Sequence, residues 1–131
     1  MSATESIERV TAILAAFNRN DIDAIGEMVS PDLVYIVRGR ASISGTHNGW
    51  RAMAGVLNQV KDLTNGTITG TPEVVLADEN TELMYARFAG SRPDGRTYDS
   101  HQAYRYRLKD GLVIEGETIP VDQNAFAEFL V

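Results

Sequence analysis

The stretch Tyr104-Arg105-Tyr106-Arg107-Leu108-Lys109-Asp110-Gly111-Leu112-Val113-Ile114-Glu115 decides how this 131-residue chain folds. β-Forming residues run up to Asp110-Gly111 and resume directly after it, the pattern of a two-residue hairpin turn. Such a turn pairs Lys109 with Leu112, and the pairing fixes which side chains share a face. Leu108 then faces Val113, Tyr106 faces Glu115, Tyr104 faces Glu117 and Gln102 faces Ile119. Leu108, Val113 and Ile119 are apolar, so this face is expected to be the inner one. The opposite face carries Arg107, Arg105 and His101, which suits solvent or a second subunit.

Working outward, Pro93-Asp94-Gly95 reads as a three-residue loop that pairs Arg92 with Arg96. Met84 then lies across from Tyr104, Ala86 from Gln102 and Phe88 from Ser100. Two separate turns thus converge on one apolar inner face. The pattern predicts long strands over 67–77, 81–92 and 96–109, and a last strand over 112–119. Upstream, Ile7, Val10, Ile13, Leu14 and Phe17 recur at helical spacing and predict a helix over 4–20, capped by Thr4 or Ser6. Asp21 caps a second helix to about Met28, followed by a strand over 33–37. Residues 38–48 read as irregular. A third helix spans 49–63 with Trp50, Met53, Val56, Leu57 and Val60 on one side, and a short closing helix lies within 122–130. Helices segregated from a meander of hairpins indicate an α+β fold, here one domain over 1–131.

Composition narrows the function. A net charge of −6 and the lack of a basic stripe argue against nucleic acid as a partner. The chain has no cysteine, hence no thiol nucleophile and no thiolate metal site. No signal-peptide pattern and no membrane-length apolar run is present, so the expected location is cytoplasmic, with no membrane partner. Two isolated histidines, His47 and His101, on opposite faces make no zinc site. The glycines from Gly39 to Gly49 match neither phosphate-loop nor dinucleotide fingerprints, and Ser42 and Ser44 lack His/Asp partners. No cofactor or metal is expected.

The inner face, however, carries Gln102, Tyr104, Tyr106, Glu115 and Glu117. A carboxyl in an apolar cavity has a raised pKa, which is how general acids and bases are made. Glu117 opposite Tyr104 is therefore the first candidate for acid/base work, with Tyr104 donating to a developing oxyanion and His47, at the expected pocket mouth, as a secondary candidate. A solvated Glu117 at the sheet rim is an equally weighted reading. Tyr35, Val37, Trp50, Met53, Leu57, Met84, Phe88, Gln102, Tyr106 and Glu115 are expected to line the pocket.

The run Asn20-Asp21-Ile22-Asp23-Ala24-Ile25, Met28 and Pro31-Asp32-Leu33-Val34-Tyr35 resembles the acidic turn, second helix and first strand of the nuclear transport factor 2-like superfamily. Gly39, Ile43, Gly45-Thr46 and Gly49 resemble the glycine-punctuated loop of SnoaL-like proteins, and the final hairpin is similar to theirs. The resemblance implies a cone-shaped roll: a curved, mostly antiparallel sheet packed on three helices from the N-terminal half, with a deep pocket. It also implies dimerisation through the outer sheet face, with Tyr85, Arg87, His101, Arg105 and Arg107 there. The residues that ketosteroid isomerases use align with Val37, Ile13 and Tyr104, so two of three are apolar here. The Asp-Arg-Asp set of limonene epoxide hydrolases meets Gln102, Tyr104 and Glu117. The resemblance to SnoaL-like cyclases implies a cofactor-independent acid/base enzyme acting on an apolar, carbonyl-bearing molecule, with a non-catalytic ligand-binding or dimerisation module as the alternative.

Overall fold

Apolar residues three and four apart build helix α1 (Ala3–Asn18) and bury Val10, Ile13, Leu14 and Phe17. The computed structural model describes residues 2–131. Its further elements are α2 (Ile22–Gly26), β1 (Val29–Val37), β2 (Gly45–Asn48), α3 (Trp50–Leu63), β3 (Thr69–Ala77), β4 (Thr81–Ser91), β5 (Thr97–Lys109), β6 (Leu112–Pro120) and α4 (Gln123–Phe129). The cap of α1 is Ser2, which accepts from the Glu5 N–H at 3.1 Å, rather than Thr4 or Ser6. Ser6 is instead fully buried and donates to the Glu79 carbonyl. Asp21 caps α2, as its position predicts, and Asp122 caps α4. The stretch read as irregular contains one element, β2, which pairs antiparallel with β1.

The six strands form one sheet in the order β2-β1-β6-β5-β4-β3. All neighbours are antiparallel except β1 and β6, which the intervening chain allows to run parallel. The sheet curves around the helices, and the apolar face of α3 packs toward it through Met53, Val56, Leu57 and Val60. No helix among the described residues is long and apolar enough to cross a membrane.

The β4–β5 register is the expected one: Met84 lies opposite Tyr104, Ala86 opposite Gln102 and Phe88 opposite Ser100. The β5–β6 register begins as expected, with Lys109 opposite Leu112 and Leu108 opposite Val113. Asp110 and Gly111 both take positive φ, at 52° and 81°, as the tight turn requires. The next pair is Arg107 with Glu115, so Ile114 is an extra residue on β6. This bulge moves every later residue of β6 to the opposite face from the one expected. Tyr106 meets Gly116, Tyr104 meets Thr118 and Gln102 meets Pro120, while Glu117 lies beside Arg105 and Ile119 beside Ala103.

Trp50, expected in the pocket wall, sits against α2 instead. A Cβ built on Gly26 would come within 2.7 Å of the Trp50 indole, so only glycine lets the two helices close. Gly26→Ala is expected to destabilise the protein by about 1–3 kcal/mol through overpacking. Urea unfolding followed by Trp50 fluorescence checks this, since the sole tryptophan reports on that contact.

Candidate active site: a neutral tyrosine-lined cavity

Between the sheet's inner face and the helices lies a cavity with about 700 Å³ of empty space, the solvent at its mouth included. Helix α1 contributes Ile13, Leu14 and Phe17, and α3 contributes Met53, Val56, Leu57 and Val60. Ile25, Ile43, Ile68 and Phe126 close its sides. The sheet supplies Tyr35 and Val37 from β1, Met84 and Phe88 from β4, Gln102, Tyr104 and Tyr106 from β5, and Thr118 from β6. The alternation of residues along β1, β4 and β5 places these side chains inward. Of the residues expected here, Tyr35, Val37, Met53, Leu57, Met84, Phe88, Gln102, Tyr104 and Tyr106 do line the cavity, whereas Trp50, Glu115, Glu117 and His47 do not.

The polar groups of the lining are wired to each other. Tyr104 donates to Gln102 Oε1 at 2.5 Å, and Gln102 Nε2 donates to the Tyr98 hydroxyl at 3.2 Å. The hydroxyls of Tyr35 and Thr118 lie 3.0 Å apart. The Tyr104 and Tyr106 rings stack with centroids 5.9 Å apart and nearly parallel planes. Burial pushes the phenols of Tyr104 and Tyr106 well above their ordinary range, and that of Tyr35 up as well. These hydroxyls are therefore neutral hydrogen-bonding groups at any physiological pH.

The acids placed inside by a bulge-free register are outside. Glu117 bonds Arg38 Nε at 2.5 Å and Arg105 Nε at 3.0 Å. Arg105 also pairs with Glu115, which in turn accepts from Arg107. These guanidinium contacts hold both carboxyls below the usual glutamate range, the opposite of a raised acid/base pKa. Glu117 is largely covered, but by the ion-pair ladder of the outer face rather than by the cavity. His47 lies on β2 beside Tyr35, and its Nε2–H donates to the Ile43 carbonyl at 2.8 Å. His101 is on the outer face as expected, stacked on Tyr85 with centroids 4.7 Å apart and bonded to Glu73.

Two buried ionisable residues escaped the sequence reading. Glu82 is 1% exposed, lies opposite Tyr106 across β4–β5, and leaves Oε2 without a hydrogen-bond partner. Burial pushes its carboxyl up to about 8. Its inward position was available from the alternation that places Met84 inside, two residues on. Lys61, on α3, is 6% exposed; its ammonium donates to the Ile68 carbonyl at 2.5 Å and sits 4.0 Å from the Phe17 ring centroid. Burial pulls it down to about 8. Its position was also available from periodicity, since Lys61 follows Met53 and Leu57 at four-residue spacing on the buried face of α3.

These shifts have opposite signs in separate pH windows. The folded protein holds the Glu82 proton that the unfolded chain has lost above its ordinary 4.5, so stability falls as pH rises from about 4.5 to about 8. Between about 8 and 10.5 the unfolded chain holds the Lys61 proton that the folded protein has lost, so stability recovers there. Glu82→Gln is expected to abolish the first decline, on the order of a few kcal/mol, and leave the second rise in place. Denaturant midpoints measured from pH 5 to pH 10 for both proteins check this.

The comparisons with known proteins agree with this architecture. Residues 10–116 match the family model described as a SnoaL-like domain. An uncharacterised protein of Mycobacterium tuberculosis is 24% identical over 98% of both chains. Among solved structures, Bal32a from a soil-derived mobile gene cassette is 26% identical with a TM-score of 0.92 over 98% of both chains. TerC, co-crystallised with polyporic acid, is 21% identical with a TM-score of 0.84, covering 96% of this chain and 98% of its own. The chain belongs to the SnoaL-like domain family.

Proposed function

We propose that the protein binds a small, uncharged, largely apolar molecule bearing a carbonyl or hydroxyl oxygen, and that the tyrosine array orients and polarises that oxygen. The observation that carries this reading is the chemistry of the lining: among the described residues its polar side chains are Tyr35, Gln102, Tyr104, Tyr106 and Thr118, all of them neutral. Apolar walls with a few convergent hydrogen-bonding groups are the usual form of a small-molecule site. A phenol that turns its proton from Gln102 to a ligand carbonyl stabilises charge that develops on that oxygen. This is the part of cyclase- or isomerase-type chemistry that the cavity supports. The acid/base role first assigned to Glu117, with Glu115 beside it, has no geometric support, because both are engaged with arginines outside the cavity. The co-crystallisation of TerC with polyporic acid is consistent with a ligand site in this fold.

We also propose a homodimer through the outer sheet face. Val74, Leu76 and Leu83 are exposed by 50%, 62% and 49% and lie together there, Leu76 directly opposite Leu83 and Val74 opposite Tyr85. Their neighbours Arg87 and Arg105 are already paired with Asp99, Glu115 and Glu117, which leaves the apolar strip as the adhesive part.

A neutral aromatic ketone, 2-acetylnaphthalene, serves as a probe of the cavity. Tyr104→Phe is expected to weaken its binding by about three- to tenfold, the worth of one hydrogen bond, and Glu117→Gln to change it by less than about twofold. Calorimetric titration decides this. A large loss in the Glu117 variant together with none in the Tyr104 variant would overturn the assignment. Sedimentation at micromolar concentration tests the assembly: the native chain is expected to be dimeric and the Leu76→Asp, Leu83→Asp variant monomeric.

A further inference from the structure

We infer that Glu82 is a specificity-determining residue of this cavity: a buried carboxylic acid set behind Tyr106, which restricts the site to uncharged ligands and couples their binding to pH. The inference rests on the ligand class proposed above. Its basis is geometric. Glu82 follows the inward alternation of Met84, Ala86 and Phe88, and all four side chains point to the helices. Its cross-strand partner is Tyr106, which lines the cavity and stacks on Tyr104. Its partner on β3 is Ala77, which offers no polar group. From α1, Ser6 and Val10 are the residues buried at this end, and the Ser6 hydroxyl is spent on the Glu79 carbonyl. The charged residues next to them in α1 are Glu5, which is exposed, and Arg9, whose Nε is itself buried without a partner. Among the described residues no salt bridge joins Arg9 or any other cation to Glu82. The facing titratable group is thus Tyr106, whose phenol the Glu82 charge would oppose.

A carboxyl that is 1% exposed with one oxygen unpartnered is costly, and an apolar residue of similar size would avoid the cost. Its presence next to the lining has two consequences for ligands. First, among the described residues no cation lines the cavity to receive an anionic ligand: Arg38 and Arg105 face outward, and the Lys61 ammonium stands behind Phe17 and Ile68, directed at the Ile68 carbonyl. An anion would also sit close to an acid whose ionisation it would further oppose. Second, an apolar ligand seated on the Tyr104–Tyr106 pair replaces polarisable water on the far side of Tyr106, which raises the cost of an ionised Glu82 behind it. The occupied state then holds the Glu82 proton more tightly than the empty state, and linkage requires affinity to fall once the empty protein begins to lose that proton. Glutamine keeps the shape and the hydrogen-bonding groups but removes the titration.

The test uses 2-acetylnaphthalene and its anionic counterpart 2-naphthoate as probes, titrated calorimetrically from pH 6 to pH 9.5 against the native protein, Glu82→Gln and Arg9→Met. In parallel, carbon-13 carboxyl resonances of glutamate-labelled protein follow Glu82 without ligand. The expected result is a Glu82 resonance that titrates near pH 8 and is missing from Glu82→Gln. Ketone affinity should fall at least fivefold from pH 7 to pH 9.5 in the native protein and in Arg9→Met, and stay level in Glu82→Gln. The naphthoate should bind at least tenfold more weakly than the ketone at pH 7. A Glu82 resonance already ionised at pH 6, or the same pH dependence in Glu82→Gln, overturns the inference while leaving the proposed ligand site intact. Failure of the ketone to bind any of the proteins overturns both.

Discussion

One extra residue in β6, Ile114, stands between the tight turn at Asp110-Gly111 and the rest of the strand, and the chemistry of the cavity depends on it. Side chains alternate along a strand with period two, so a single insertion exchanges the two faces completely. With Ile114 accommodated as a bulge, Thr118 enters the cavity beside Tyr35 and Tyr104, and Glu115 and Glu117 join the arginines outside. The outer ion-pair ladder and the inner tyrosine tier are therefore two sides of one event. Neither carboxylate pays for burial alone, since each is bonded to guanidinium groups, and the cavity receives a hydroxyl rather than a charge.

The fold was largely legible in the sequence, and so was half of the site. Asp110-Gly111 and Pro93-Asp94-Gly95 dictate their turns through local backbone preferences, and residues next to a turn inherit its register. That is why Met84, Gln102, Tyr104 and Tyr106 were placed correctly. The error at Glu117 began at Ile114, three residues from the turn. Nothing in Val113-Ile114-Glu115 announces a bulge, because all three residues fit a regular strand, and the insertion is fixed by contacts with Arg105, Arg107 and Arg38 from other strands and a loop. Glu82 shows the converse. It was legible from alternation alone, yet the eye passes over a glutamate two residues from the end of a turn as a solvated one. Trp50 was misplaced because its partner, Gly26, lies on another helix and has no side chain to signal the contact.

The cavity lining excludes charged side chains and retains hydrogen-bonding ones. Tyr35, Tyr98, Gln102, Tyr104 and Thr118 satisfy one another, which removes most of the cost of burying them, and burial in turn keeps the phenols protonated. Val37 and Ile13, where the resemblance to ketosteroid isomerases would put a base and a helix tyrosine, are apolar residues of the cavity wall. In the proposed reading such a neutral donor array holds an oxygen without a strong base beside it; the buried ionisable groups, Glu82 and Lys61, are set behind the wall rather than in it.

A crystal structure of the protein soaked with 2-acetylnaphthalene tests the central claim most directly, because it reports the face of β6 and the seat of the ligand together. The account predicts the ketone oxygen within hydrogen-bond distance of the Tyr104 or Tyr35 hydroxyl, Thr118 facing it, and Glu117 outside between Arg38 and Arg105. A Glu117 carboxylate inside the cavity against Tyr104, or a ketone bound elsewhere on the molecule, would contradict it.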